Sequence, residues 1–138
     1  MSRNIRNAVT AFGVALLMGT VLQAKDVALK LTGDQEVPSN TSTASGTGNI
    51  TIKADKTVTG TVKTTGIDGT MAHIHLAAAG KNGPPIITLV KGSDNEWKVP
   101  DGAKLTDDQY KSFKAGDLYV NVHSEAHPGG EIRAQLKP

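Results

Sequence analysis

Asp117-Leu118-Tyr119-Val120-Asn121-Val122-His123 decides the fold. Its apolar residues fall on every second position, the period of a β-strand whose successive side chains point to opposite faces. Leu118, Val120 and Val122 therefore form a core face, and Tyr119, Asn121 and His123 the other. The same pattern returns in Met71-Ala72-His73-Ile74-His75-Leu76, where Ala72, Ile74 and Leu76 turn inward. Met71, His73 and His75 are then left together on the opposite face. In Glu131-Ile132-Arg133-Ala134-Gln135-Leu136 the core set is Ile132, Ala134 and Leu136, with Arg133 outward. If these strands are neighbours, three histidines and an arginine share one polar surface of a sheet.

Further strands are expected over Val27–Leu31, Gly48–Lys53, Thr57–Thr64 and Ile86–Val90, with turn residues every 8 to 12 positions. Short strands at that spacing argue for an antiparallel sandwich or barrel. One segment breaks the pattern. Leu105–Ala115 opens on Thr106, which suits an N-cap, and continues with Asp107-Asp108. It ends on Lys114 before Gly116, the signature of a short helix. The acidic pair is explained by the helix dipole. Ser39–Gly48, rich in Ser, Thr and Gly, reads as a mobile loop or frayed edge. Trp97, Tyr110 and Phe113 are expected to close one end of the core.

The chain has 138 residues, the size of one domain, and a formal charge of +2. Residues 1–24 read as a secretory signal peptide, with Arg3 and Arg6 ahead of the uncharged stretch Ala8–Leu22 and Ala24 before Lys25-Asp26. The alternative is an uncleaved anchor, although the stretch is short for a span of about 20 apolar residues. With the leader removed, residues 25–138 form one domain with no membrane span, and periplasmic or secreted localisation is expected. Arg3 and Arg6 leave with the leader, so the remaining chain carries thirteen residues of each sign. No basic field remains to attract a nucleic acid. Cysteine is absent, which excludes a disulfide framework, a thiolate zinc site and a cysteine nucleophile.

The chemistry left is that of the four histidines. An i, i+2 pair on a strand sets its Cα atoms about 6.6–6.8 Å apart, and two such imidazoles can converge on one ion with bonds of about 2.0 Å. His73 and His75 are the expected pair, His123 the third ligand, and His127 or Met71 a fourth. Met71 is the only methionine after residue 24, and a thioether beside imidazoles favours copper, Cu(I) in particular, over zinc. The expectation is one copper ion per chain, Cu(I) or Cu(II), with binding that weakens as pH falls through the histidine range near 6.5. The competing readings are ordinary surface histidines, a gap-filling Met71, and an Arg133 paired with Glu131, Glu125 or another carboxylate.

Ala72-His73-Ile74-His75, Gly80–Pro84, Trp97, Leu105-Thr106, Gly116–His123 and Pro128-Gly129-Gly130-Glu131-Ile132-Arg133 together resemble the CHRD (chordin-type) domain. The resemblance spans the chain after the leader. It implies an all-β, antiparallel, immunoglobulin-like Greek-key β-sandwich, often exported in bacteria, with no defined general activity. The motifs are also distantly similar to copper/zinc superoxide dismutases, which carry an HxH pair, a late-strand copper histidine and a glycine-rich segment leading to an active-site arginine. His73, His75, His123 and Arg133 match those positions in order. No histidine lies between His75 and His123, so the bridging and zinc-loop ligands have no counterpart.

Three functions follow as expectations. The first is copper buffering, delivery or tolerance through a mononuclear histidine site, with a copper donor or acceptor protein as partner. The second is a copper-only dismutase-like enzyme in which Arg133 guides superoxide. The third is a metal-free module that binds a protein or glycan.

Overall fold

The computed structural model describes Gly13 and residues 23–138. The leader expected over 1–24 lies, apart from Gly13, Gln23 and Ala24, outside the described residues. Among them, no helix is long and apolar enough to cross a membrane.

The described residues form nine strands and one α-helix in chain order: β1 (Lys25–Thr32), β2 (Ser45–Ile52), β3 (Val58–Thr65), β4 (Gly69–Leu76), β5 (Pro85–Thr88), β6 (Val90–Lys91), β7 (Glu96–Lys98), α1 (Asp107–Lys114), β8 (Leu118–Ser124) and β9 (Ile132–Leu136). All pairings between the strands are antiparallel, in the order β5-β4-β8-β9-β1-β2-β3-β7-β6. The expected all-β antiparallel fold with one short helix is the fold observed.

The two layers of the sandwich are halves of one sheet that nearly closes on itself. At one seam β9 meets β1 through a single register pair, Thr32 with Arg133. At the other, β5 and β6 lie at opposite ends of the strand order yet are separated by Leu89 alone. The Leu89 N–H donates to the Ala72 carbonyl of β4, whereas Val90 pairs with Lys98 of β7. The chain thus changes layers at that residue. The single strand expected over Ile86–Val90 is divided there, because one extended segment cannot pair along both layers of a folded sheet. Closing the ends in this way leaves little free edge to recruit another chain.

The alternating apolar residues meet between the layers. Leu29, Leu31, Ile50, Val62, Ala72, Ile74, Leu118, Val120, Val122, Ile132 and Leu136 are all buried. Trp97 and Phe113 are buried too, and Tyr110 packs against the core beside Phe113. Trp97 stands on β7, a strand too short and too charged to register as periodic in the sequence.

Thr106 caps α1: its hydroxyl accepts from the Gln109 N–H while the Gln109 side chain accepts from the Thr106 N–H. The Ser39–Gly48 reading is corrected. Ser45–Gly48 belongs to β2, paired on both sides. Ahead of it, Asn40 Nδ2 donates to the Glu131 carbonyl, and the Ser42 hydroxyl donates to the Glu131 carboxylate at 2.8 Å. The polar composition that suggested mobility instead serves hydrogen bonds to residues about 90 positions away in the same chain.

A second correction concerns the polar face. The residues of β8 and β9 that turn away from the core are not on solvent: Tyr119, Asn121 and Arg133 are 2%, 2% and 1% exposed. Alternation correctly separates the faces, but loops lie over the outer one. These are the β4–β5 loop (77–84), the β8–β9 loop (125–131) and the segment after β1 (33–40).

Candidate metal centre

β8 lies between β4 and β9, so its outward side chains meet partners on both sides. Met71 is directly opposite His123, His73 opposite Asn121, and His75 opposite Tyr119. On the far side Asn121 faces Arg133. Directly opposed residues in an antiparallel pair project to the same face, so adjacency of β4 and β8 brings the three histidines together.

His73, His75 and His123 each offer a ring nitrogen, all within 4.8 Å of one another. His73 Nδ1 and His123 Nε2 are 3.1 Å apart. Two ligands bound to one ion at about 2.0 Å in tetrahedral geometry stand about 3.3 Å apart, so this pair is already near coordination spacing.

The other ring nitrogens are held by the backbone. His75 Nδ1–H donates to the Gly83 carbonyl at 2.9 Å. His123 Nδ1–H donates to the Pro128 carbonyl at 2.9 Å. A carbonyl can only accept, so each contact fixes the proton on Nδ1 and leaves Nε2 as an acceptor, which at His123 lies within hydrogen-bond reach of His73 Nδ1. Such outer hydrogen bonds set the tautomer and ring orientation of metal-binding histidines. His75 Nε2 is buried and has no hydrogen-bond partner.

Burial, followed by repulsion from His123 and His75, holds the His73 imidazole below the ordinary histidine value of 6.5. Burial is also the main cause of the downward shift at His75; the Gly83 hydrogen bond opposes it. Both rings are therefore neutral near pH 7, the state in which imidazole binds a metal.

Gly83, part of the Gly80–Pro84 motif but given no role of its own in the sequence analysis, is the junction of the covering loop. Its carbonyl accepts from His75, and its N–H donates to the Tyr119 hydroxyl at 3.2 Å. A β-carbon at Gly83 would overlap the Leu76 carbonyl. Arg133 holds the same loop. Its guanidinium donates to the Lys81 carbonyl at 2.7 Å and to Asn82 Oδ1 at 3.2 Å. Gln135 adds a bond from Nε2 to the Ala77 carbonyl at 2.9 Å.

Arg133 thus forms no ion pair with Glu131 or Glu125. Glu131 is taken up by the hydroxyls of Ser42 and Ser124. The expected role of Arg133 at an open surface is replaced by a role inside the loop packing.

The two expected fourth ligands differ in placement. Met71 stands across β4–β8 from His123, on the histidine face and about half exposed. His127 lies outside the group of three. It lines a separate groove of about 450 Å³ with Glu36, Asn40, Asn82 and Pro128.

Antiparallel layers of one nearly closed sheet, with three histidines beneath its loops, define a small all-β domain whose outer face carries a histidine cluster that could hold a metal ion. The CHRD domain family model matches residues 27–136, and the chain belongs to the CHRD domain family. Neither the curated proteins nor the solved structures contain a match to it.

Proposed function

We propose that this CHRD domain is an exported copper-binding protein that holds one ion per chain through His73, His75 and His123, for copper buffering, delivery or tolerance in the periplasm. The observation that carries this reading is the paired tautomer lock. Gly83 and Pro128 accept the Nδ1 protons of His75 and His123, leaving Nε2 of each ring as the acceptor within a cluster whose third member is His73. Ordinary surface histidines have no need of two backbone carbonyls arranged in this way. Nitrogen donors with a thioether beside them favour copper over zinc, and Met71 stands across β4–β8 from His123 on the same face. The leader pattern and membership of the CHRD family support export.

Binding is better supported than dismutation. A residue that guides superoxide must present its charge to the ion's open position, whereas Arg133 is 1% exposed and its guanidinium donates to the Lys81 carbonyl.

The test is metal titration of the purified domain. Near-stoichiometric copper uptake, lost in His123→Ala, is the expected result. No uptake of Cu(I) or Cu(II) at micromolar concentration overturns the reading. Superoxide turnover by the loaded protein above that of free copper would restore the enzyme alternative.

A further inference from the structure

Four buried side-chain polar atoms among the described residues have no hydrogen-bond partner, and three of them, His75 Nε2, Asn121 Oδ1 and Glu36 Oε1, belong to the region around the histidine cluster. Asn121 occupies its middle. It is opposite His73 on one side and Arg133 on the other, two residues from both Tyr119 and His123. At 2% exposure, its carboxamide has no access to bulk water.

The amide has a defined orientation. A β-carbon at Gly130 would lie 2.5 Å from Asn121 Nδ2 and 2.6 Å from Glu36 Oε1, so the amide nitrogen and the carboxylate both border that glycine. Gly130, with φ +126°, leaves the room they occupy. A carboxylate accepts and never donates when ionised, so its charge favours the amide N–H₂ over Oδ1 on the side of the amide that faces Gly130. Oδ1 is thereby turned away from Gly130, and it has no hydrogen-bond partner of its own. Two buried acceptors, His75 Nε2 and Asn121 Oδ1, are thus left without a donor on the same covered face of neighbouring strands. Leaving such groups unpaired is costly, and a cation answers both.

We infer that Asn121 is a further metal-binding residue of this centre, its Oδ1 supplying a hard oxygen donor beside the three imidazoles, with Glu36 as the positioning residue that aims it. This inference rests on the proposed histidine site and adds a specificity to it. A carboxamide oxygen suits Cu(II), and a thioether suits Cu(I). Asn121 on the buried side and Met71 on the exposed side thus serve different oxidation states.

The test compares Asn121→Ala and Met71→Leu with the wild type, measuring Cu(I) and Cu(II) affinities separately and recording the Cu(II) electron paramagnetic resonance spectrum. Loss of Asn121 Oδ1 is expected to weaken Cu(II) binding by about tenfold, to alter its spectrum and to leave Cu(I) affinity unchanged. Met71→Leu is expected to show the reverse. If folded Asn121→Ala keeps wild-type Cu(II) affinity and spectrum, the inference is wrong, while copper uptake by the wild type shows that the histidine site stands. If the wild type takes up no copper, both are wrong. Should Asn121→Ala fail to fold, the Asn121 side-chain amide resonances of the wild type, apo against zinc-loaded, decide. A clear shift on loading supports the inference, and no shift overturns it.

Discussion

Tyr119 lies flat against His75, with ring centroids 4.7 Å apart and planes within 2° of parallel. The Arg133 guanidinium carbon sits 3.4 Å from the centre of the same tyrosine ring. The strand order β4-β8-β9 places Tyr119 between the other two. One aromatic ring therefore braces a candidate metal ligand and the arginine that holds its covering loop. The tyrosine hydroxyl also receives the Gly83 N–H, beside the carbonyl that fixes the His75 tautomer.

Tyr119→Phe keeps the stack and removes the hydroxyl. Its expected cost is about 1 kcal/mol of stability, the net worth of a single hydrogen bond, with copper affinity reduced severalfold as Gly83 loosens. Tyr119→Ala removes the ring as well and is expected to cost about 3–5 kcal/mol. Urea unfolding measures both. Equal losses in the two variants would show that the ring contributes nothing beyond its hydroxyl.

Gly83→Ala forces a methyl group against the Leu76 carbonyl. A displaced loop is expected to cost about 1–3 kcal/mol and to release the His75 ring. Gly80→Ala is the useful contrast. Gly80 has φ +80° but open space around it, so that variant carries backbone strain without the clash. Copper affinity lower in Gly83→Ala than in Gly80→Ala is the expected outcome of paired titrations.

Copper is expected to raise the unfolding free energy by about 2.7 kcal/mol when its free concentration is a hundred times Kd, because it binds only the folded site. Thermal unfolding should show the rise in the wild type and in His127→Ala, whose imidazole stands outside the cluster. His123→Ala should show none. Loss of the rise in His127→Ala would make it a ligand.

The pH dependence follows from the directions of the His73 and His75 shifts. Both fold with values below the ordinary 6.5. Below pH 6.5 the unfolded chain takes up protons that the folded rings resist, so these residues make stability fall as pH falls. Their contribution is complete above 6.5 and lost progressively below it. Proton competition for His73 and His75 likewise begins below 6.5, lower than ordinary histidines would require. Unfolding and copper titrations at successive pH values check both. A loss of affinity already complete at 6.5 would contradict the direction of the shifts.

Alternation in three short segments was enough to read the antiparallel fold and the core. A strand has a period of two, and Leu118, Val120 and Val122 leave no other phase. The same alternation put His73, His75, His123 and Arg133 on the face opposite the core, and the capping pattern located α1. β7 escaped notice because Glu96-Trp97-Lys98 is too short to show a period. The change of layer at Leu89 escaped because it depends on which strands pair. Gly83 and Pro128 act through carbonyl oxygens, which every residue possesses and no residue type advertises.

The sequence by itself determined the strands, their inward faces and the histidines available to a metal, since these follow from local backbone geometry. Only the tertiary structure decided that the polar face is covered. It alone decided that Arg133 holds a loop instead of meeting solvent, and that Asn121 Oδ1 and His75 Nε2 are left as unpaired acceptors. Those outcomes depend on contacts such as Arg133 with Lys81 and Asn40 with Glu131. Such residues lie far apart along the chain, and nothing in its local pattern says that they meet.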